Sequence, residues 1–310
     1  MTRCLASKAT EQSLASMISN DAPGWPRIFV TFLLLAASWL GVNAVWGLTS
    51  ASDTLVSRWE RELLPLTWWV LVAVAMTTGA AIVFGIRRQR NALRLSVMLL
   101  AYFVGVALSR YARFLIDPAD TIVDRGFMLL GALPMIAVAA AFGTLRDHPL
   151  RIGDWSVATR LFSRDGEETP WSRRLPAALL FVALPVAILL QLSVGFAPFT
   201  SGRIWQILPV ILALALLNGT IEELLFRGMI QPPLIGFLGP GWGIWLQALF
   251  FGVHHWGASP SLIAGLPTAV FLVLVGAVFG KSALETRGLG WAISVHVALD
   301  IGMLAAYLGS

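Results

Sequence analysis

Composition and hydropathy restrict the class of protein that this chain can form. It has 310 residues, of which 57% are hydrophobic and only 13% are charged, and its formal net charge is +5. A mean hydropathy of +0.76 excludes an ordinary soluble globular domain. The positive charge is explained by arginines at a membrane surface, so we expect a lipid bilayer and no nucleic acid as partner.

Long apolar segments recur along the chain and predict an all-α fold, a polytopic transmembrane helical bundle. A helix needs roughly 20 apolar residues to cross a bilayer, and the segments predict about nine spans. The third and seventh are short, so eight is the alternative. The predicted spans are Ile28–Leu48, Leu66–Ile86, Leu95–Leu108, Phe127–Phe142, Leu175–Phe196, Trp205–Ile230, Trp242–Trp256, Leu262–Gly280 and Leu289–Leu308.

One change of composition, the polar segment Thr144–Arg174, divides the chain. It predicts four parts, with no internal repeat between the two membrane blocks. We interpret the tail and the first span as an uncleaved anchor. Cys4, the only cysteine, lies in the tail, where we expect no catalytic role. The parts are a polar N-terminal tail (1–27), a four-span block (28–143), an arginine-rich cytoplasmic linker (144–175) and a second membrane block (176–310).

Arginine-rich loops predict the orientation, because cytoplasmic loops carry an excess of Lys and Arg. One cluster follows the second predicted span and another lies in the linker, two spans later, so both are expected on the cytoplasmic side. The N-terminus is then inside. The arginines are Arg87, Arg88, Arg90 and Arg94 after the second span, and Arg146, Arg151, Arg160, Arg164, Arg173 and Arg174 in the linker.

Charged residues interrupt the sixth apolar segment in the stretch NGTIEELLFRG. A charge near the bilayer centre costs about 2.5–3.5 kcal/mol on insertion scales, so such residues usually face the bundle interior and carry a function. Glu223 and Arg227 lie four apart and can pair, which has a purely structural interpretation. Glu222 points about 100° away from Glu223 around the helix, and a pair with Arg227 does not explain it.

Two further polar clusters lie on later apolar segments. His254 and His255 are adjacent and point in different directions, so at most one is expected to join Glu222. His296 and Asp300 lie four apart and share a helical face. At 1.5 Å per residue, all three clusters fall at a similar depth, provided that the sixth helix continues past Glu222 to about Ile230.

The three clusters together resemble the CAAX protease and bacteriocin-processing (CPBP, or Abi) family of intramembrane proteases. EELLFR has the form EExxxR, FGVHH the form FxxxH, and HVALD the form HxxxN/D, in the family's order. The resemblance covers about Trp205–Ile301, so it would make 176–310 a CPBP-like catalytic membrane domain. It implies an integral, multi-pass protein, which we place in a bacterial-type cytoplasmic membrane.

The resemblance implies an endopeptidase that processes the tails or leader segments of membrane-embedded or lipid-anchored protein substrates. It assigns Glu222 as the base that activates water and His255 as a second group that holds this water. His296 and Asp300 match the positions that stabilise the oxyanion, and Glu223 and Arg227 match a supporting pair. Attack on an amide requires these functions: an activated water, donors for the oxyanion and an acid for the leaving amine.

Asp300 leaves the mechanism open between a metal-free reaction and zinc. Many relatives carry Asn at this position, which can donate a hydrogen bond, whereas an ionised Asp cannot. Asp300 is therefore expected to be protonated or to help hold a cation. We favour the metal-free glutamate mechanism without a cofactor; the alternative is a zinc ion held by Glu222, His255, His296 and Asp300.

A non-enzymatic membrane protein is the main alternative function. A transporter could use the same buried charges, but transporters commonly show repeat symmetry, and the polar residues here are concentrated in one half. A catalytically silent immunity-type relative would be expected to have lost a motif residue, and the motifs are complete. A third alternative is a scaffold whose buried charges only fix helix packing.

Overall fold

The structure of the protein is a computed structural model. It describes residues 24–36, 64–116, 121–143, 151–161, 166–193, 203–256 and 262–309. Most of the predicted N-terminal tail, including Cys4, lies outside these residues, and so does the second half of the first predicted span.

Helices form most of the described chain, which confirms the predicted all-α class. A short antiparallel pair of strands, β1 (Ala158–Thr159) and β2 (Thr169–Pro170), is the exception. The helices are α1 (Trp25–Ala36), α2 (Leu64–Ile86), α3 (Arg90–Ile116), α4 (Thr121–Ala141), α5 (Trp171–Ser193), α6 (Arg203–Glu223), α7 (Gln231–Leu238), α8 (Pro240–Trp256), α9 (Leu262–Thr286) and α10 (Gly290–Gly309).

The number of membrane spans stays a prediction. In the described part, three stretches are long and apolar enough to cross a membrane, namely Arg90–Ser109, Trp205–Leu238 and Leu266–Thr286. The third predicted span, Leu95–Leu108, is much shorter than the helix that contains it, Arg90–Ile116. Hydropathy misses the ends of this helix because they carry arginines.

The sixth helix continues past Glu222, as the shared depth of the polar clusters requires. After α6 the chain forms a π-helical segment, Leu224–Ile230, and then enters α7 directly. The sixth predicted span ends at Ile230, but the helical chain continues to Leu238, because the two prolines of the sequence QPP occupy the first turn of α7, where no backbone N–H is needed. The helix ends instead at Gly239, whose φ of 80° favours glycine.

The two membrane blocks share one hydrophobic core in the described residues. Helix α3 of the first block packs against α7 and the π segment of the second block, and buried side chains of both blocks belong to one cluster. Glycines allow close helix contacts within each block: a Cβ on Gly105 of α3 would overlap the Gly131 carbonyl of α4. A Cβ on Gly252 of α8 would lie 2.5 Å from the Ala269 carbonyl of α9.

The described part of the predicted linker packs on the turn between α9 and α10. The N–H of Asp154 donates to the Thr286 carbonyl at 2.8 Å, and the N–H of Leu289 donates to the Arg151 carbonyl at 2.8 Å. Helix α5 begins at Trp171, four residues before the predicted start at Leu175. The domain division at 144–175 stays a prediction, but this linker is bonded to the second block.

Candidate active site

A buried ion pair lies where α6 passes into the π segment. Glu223 Oε1 is 2.7 Å from Arg227 Nη1, and both side chains are completely buried, with 0% exposure. The guanidinium lies over the Phe251 ring, with its Cζ 4.3 Å from the ring centroid, and donates from Nη2 to the Gly276 carbonyl at 3.4 Å. The predicted pair therefore exists, and it is enclosed by α8 and α9.

Glu223 has a second partner that the sequence did not indicate. His296 of α10 approaches the same Oε1 with its Nδ1 at 2.7 Å. The EExxxR motif predicted only the bond to Arg227, because spacing along one helix does not show which distant helix packs against it. Glu223 thus joins the π segment to α10 through two charge-assisted hydrogen bonds.

Glu222 lies beside both predicted histidines. Its Oε2 is 3.5 Å from His255 Nε2 and 3.7 Å from His296 Nε2, longer than an ordinary N–H···O hydrogen bond. This oxygen is buried and has no hydrogen-bond partner among the described residues. The other oxygen, Oε1, accepts a hydrogen bond from Asn218 Nδ2 at 3.1 Å. The three clusters therefore converge around one free carboxylate oxygen.

Hydrogen bonds to the backbone and to Glu223 determine which nitrogen of each histidine faces Glu222. His255 Nδ1 lies 2.8 Å from the Phe251 carbonyl, which can only accept, so Nδ1 carries the proton. His296 Nδ1 likewise donates to the Glu223 carboxylate. The Nε2 atoms of both rings are then turned towards Glu222, where each can accept a proton or, once protonated, donate it.

Asp300 joins the site through Asn218, a residue that the sequence reading missed. Its Oδ2 accepts a hydrogen bond from Asn218 Nδ2 at 3.0 Å, and its Oδ1 lies 3.9 Å from His296 Nε2. The sequence reading also left Glu222 without a partner in its own helix. Asn218 is that partner, and its position four residues before Glu222 was the available signal.

His254 contacts the first membrane block. The hydroxyl of Tyr102 on α3 lies 3.0 Å from His254 Nδ1 and 3.2 Å from Nε2. The two rings pack edge to face with centroids 5.7 Å apart. His255, the other of the two adjacent histidines, is the one whose Nε2 lies 3.5 Å from Glu222. No sequence pattern singled out Tyr102, because it lies outside the three motifs.

Glu222 and His255 are partly accessible from outside the protein, whereas Glu223 and Arg227 are completely enclosed. The side chains of Glu222 and His255 retain 13% and 25% of their exposure, compared with 0% for Glu223. Glu222 and His255 can therefore be reached from outside the protein, whereas Glu223 and Arg227 are enclosed by it. Across the residues that the structure describes, no three His, Cys, Asp or Glu side chains are arranged to hold a metal ion.

Comparison with protein families gives one match, at the helices that carry the site. Residues 203–302 match a family model described as Rce1-like, type II CAAX prenyl endopeptidase Rce1-like. The match confirms the resemblance found in the three motifs and contains all six predicted site residues. Comparison with curated proteins and with solved structures gives no match. Together with the apolar helices, the match supports an integral membrane protein, and the similarity to a CAAX-type protease is confined to residues 203–302, about a third of the chain.

Proposed function

We propose that the part of the chain similar to CAAX prenyl endopeptidases, residues 203–302, is the catalytic domain of an intramembrane endopeptidase. Its substrates would be membrane-embedded or lipid-anchored proteins that are cleaved near a C-terminal tail or a leader segment. Such a substrate reaches the site from the membrane, which is consistent with apolar helices around it.

The observation that carries the proposal is the free oxygen of Glu222. A buried carboxylate oxygen without a hydrogen bond is costly, and Oε2 faces two imidazole nitrogens at 3.5 and 3.7 Å. This arrangement suits a base that holds a water molecule between itself and His255. Glu222 removes one proton from the water, and the resulting hydroxide attacks the carbonyl carbon of the substrate.

The second half of the reaction returns this proton. Attack converts the carbonyl oxygen into an oxyanion; the C–N bond then breaks, and the proton on Glu222 passes to the leaving nitrogen. The products are a carboxylic acid and an amine, and the atoms of one water are consumed. Glu222 is regenerated as a carboxylate for the next turnover.

His296 and Asp300 are proposed to stabilise the oxyanion. His296 can donate from Nε2 when the ring carries both protons, and the hydrogen bond from Nδ1 to the Glu223 carboxylate then stabilises this form of the ring. Asp300 can donate only in its protonated form. Arg227 holds Glu223 in place, so the buried pair supports the site without touching the substrate.

Zinc catalysis is the second mechanism, and one observation favours it. Both histidines donate from Nδ1 to an acceptor, which is the second-shell arrangement commonly seen for zinc-bound imidazoles. The proposed ligands would be Glu222, His255, His296 and Asp300, with zinc polarising the substrate carbonyl. We keep the metal-free mechanism as the proposal.

The orientation proposed for the protein places the N-terminus and the linker in the cytoplasm. Two contacts join the first turns of α3 to neighbouring helix ends: Asn91 Nδ2 donates to the Gly236 carbonyl at 2.8 Å, and Arg94 Nη2 donates to the Phe142 carbonyl at 2.6 Å. Arg27 lies over Phe237, with its Cζ 5.7 Å from the ring centroid. The nearness of Arg27 and Arg94 to these helix ends supports the proposed orientation, because the positive-inside rule expects arginines at the cytoplasmic ends of helices.

The decisive experiment is Glu222→Gln in the purified full-length protein, reconstituted in liposomes. The probe is a fluorogenic farnesylated CAAX peptide, compared with the same peptide without the lipid. We expect kcat to fall by about 10²–10⁴-fold, because the amide cannot take a proton from water. Thermal unfolding of the variant should remain close to that of the wild type.

The matched control is Glu168→Gln, since Glu168 is an exposed carboxylate paired with Arg160 at a distance from the site. This variant should keep full activity. Wild-type activity in Glu222→Gln would exclude Glu222 as the base.

Two further measurements address the alternatives. A farnesylated peptide left uncleaved by the wild type, but bound and moved across the bilayer, would favour the transporter. Metal analysis separates the mechanisms: one zinc per chain, lost together with activity on chelation, would replace the metal-free proposal.

A further inference from the structure

One amide group connects the two carboxylates that face the proposed substrate. Asn218 Nδ2 donates to Glu222 Oε1 at 3.1 Å and to Asp300 Oδ2 at 3.0 Å. The amide NH2 group carries two protons, so each carboxylate receives one of them. Asn218 lies on α6 and Asp300 on α10, and the contact therefore also joins these two helices.

We propose that Asn218 is a positioning residue of the reaction, whose amide bridge fixes Glu222 and Asp300 relative to each other. The inference rests on the proposed function, and it adds a residue that none of the three motifs contains. Asn218 does not touch the reacting atoms in this role; it acts through the two carboxylates.

The chemistry of the three groups fixes the orientation of the amide. If the side chain were turned over, Oδ1 would face the Glu222 carboxylate, and two acceptors would meet without a proton between them. With Nδ2 towards Glu222 and Asp300, both contacts are hydrogen bonds, and each one that meets an ionised carboxylate is charge-assisted. In the described part of the chain, no lysine or arginine forms an ion pair with Glu222 or Asp300. The amide thus donates the hydrogen bonds that a lysine or arginine would otherwise donate, and it adds no charge.

The bridge also determines which oxygen of Glu222 remains free. Because Asn218 binds Oε1, the other oxygen, Oε2, is the one turned towards His255 and His296. Asn218 and Glu222 lie four residues apart in the last turn of α6, so the bond holds the Glu222 side chain along its own helix. Loss of the bridge would let Glu222 rotate and would remove the link to Asp300.

The test compares Asn218→Asp with the double variant Asn218→Asp/Asp300→Asn. The single variant sets a third carboxylate against Glu222 and Asp300, and we expect kcat for the farnesylated peptide to fall roughly 100-fold, with KM changed less than about threefold. In the double variant an amide again faces a carboxylate across α6 and α10. It should recover about tenfold of the kcat lost in the single variant. Asp300→Asn alone is measured to complete the cycle.

Asn91→Asp is the matched control, because Asn91 also donates its amide N–H across two helices, to the Gly236 carbonyl, but lies away from the site. It is expected to keep kcat. Thermal unfolding shows which variants fold; if Asn218→Asp does not, Asn218→Ser replaces it. Serine has one proton and can serve only one carboxylate, so an intermediate loss of kcat is expected.

Wild-type kcat in Asn218→Asp, or in the serine variant, would contradict the proposed positioning role of the Asn218 bridge. Losses that simply add in the double variant, without recovery, would also overturn it, because a merely structural residue behaves in that way. These outcomes are separate from a failure of the proposed function. An inactive Glu222→Gln together with a fully active Asn218→Asp would exclude only the positioning role of Asn218. An active Glu222→Gln would instead exclude Glu222 as the base.

Discussion

The two membrane blocks satisfy their buried polar groups in different ways. In the described part of the first block, three buried threonine and serine hydroxyls each bond to a carbonyl four residues earlier in the same helix, whereas the Tyr102 hydroxyl reaches His254 of the second block. Thr31 donates to Arg27 at 2.8 Å, Thr77 to Ala73 at 2.7 Å and Ser96 to Ala92 at 2.9 Å. Each of these bonds is local, so it does not depend on how neighbouring helices pack.

In the second block, Ser282 and Thr286 bond within their own helix in the same way, but the buried charged and amide side chains mainly connect different helices. Glu223 binds His296 of α10, and Asn218 binds Asp300 of the same helix. Gln231 of α7 donates to the Gly280 carbonyl of α9 at 2.8 Å. Since each group depends on partners from elsewhere in the chain, one substitution leaves several others unsatisfied.

The comparison indicates where this protein tolerates change. Within a bilayer no water replaces a lost partner, so a backbone that satisfies its own side chains is insensitive to its surroundings. A hydrogen-bond network between helices is sensitive to substitution of any of its members, and it holds chemical groups in fixed relative positions. The first block has the arrangement of a structural support, and the second has that of a site. Substitutions in the two blocks should therefore differ in size and in additivity.

Glu223→Leu should give the largest loss of stability. It leaves Arg227 as a buried charge without its carboxylate, and His296 loses the acceptor of its Nδ1 proton. Removing one partner of a buried pair costs about 3–5 kcal/mol. Unfolding in mixed micelles of increasing SDS content measures this loss, and activity should disappear with it.

Glu223→Leu/Arg227→Leu is the matched variant. Removing both charges should recover most of the stability, because two apolar side chains leave no uncompensated charge. Activity should stay lost, since His296 still lacks Glu223. Full activity in the double variant would contradict the supporting role of this pair, and a double variant as unstable as Glu223→Leu would contradict the pairing itself.

The sequence was sufficient to predict that the charged clusters meet. Buried charges are costly in an apolar helix, and this cost left few explanations for Glu222, His255 and His296 on three different segments. The helical class followed from the apolar runs. The depth argument held because α6 continues through the π segment, which keeps Glu222 away from a helix end.

The remaining features depend on contacts that no periodicity shows. Asn218 is neutral, so a pattern of charged residues does not include it, although it binds both carboxylates. Tyr102 lies about 150 residues before its partner His254, and only the packing of α3 brings the two together. Helix ends were also missed, because the arginines of α3 lower its hydropathy without ending the helix.

Tyr102→Phe tests whether the first block contributes to the site. The substitution removes the hydroxyl that lies 3.0 Å from His254 Nδ1 and keeps the ring, which packs edge to face on Phe226 and Phe250. A hydrogen bond of this kind is worth about 1 kcal/mol, so activity should fall by roughly fivefold. His254 is adjacent to His255, and the loss should appear in kcat for the farnesylated peptide.

Tyr102→Leu is the comparison for this effect, because it removes the ring as well and should cost more stability than Tyr102→Phe. If Tyr102→Phe keeps wild-type kcat while losing stability, the first block supports the site only by packing. A loss of activity in Tyr102→Phe far above tenfold would instead place Tyr102 among the residues that act directly in the reaction.

Ser96→Ala should give the smallest effect, although Ser96 is completely buried in α3. Its hydroxyl bonds to the Ala92 carbonyl of its own helix, and that carbonyl keeps its backbone hydrogen bond when the hydroxyl is removed. Polar contacts in membrane helices average about 0.6 kcal/mol, and we expect a loss no larger than this, with unchanged activity. Unfolding in SDS micelles gives the value. A loss comparable to that of Glu223→Leu would mean that burial, rather than the connection between helices, determines sensitivity, and the contrast between the two blocks would then disappear.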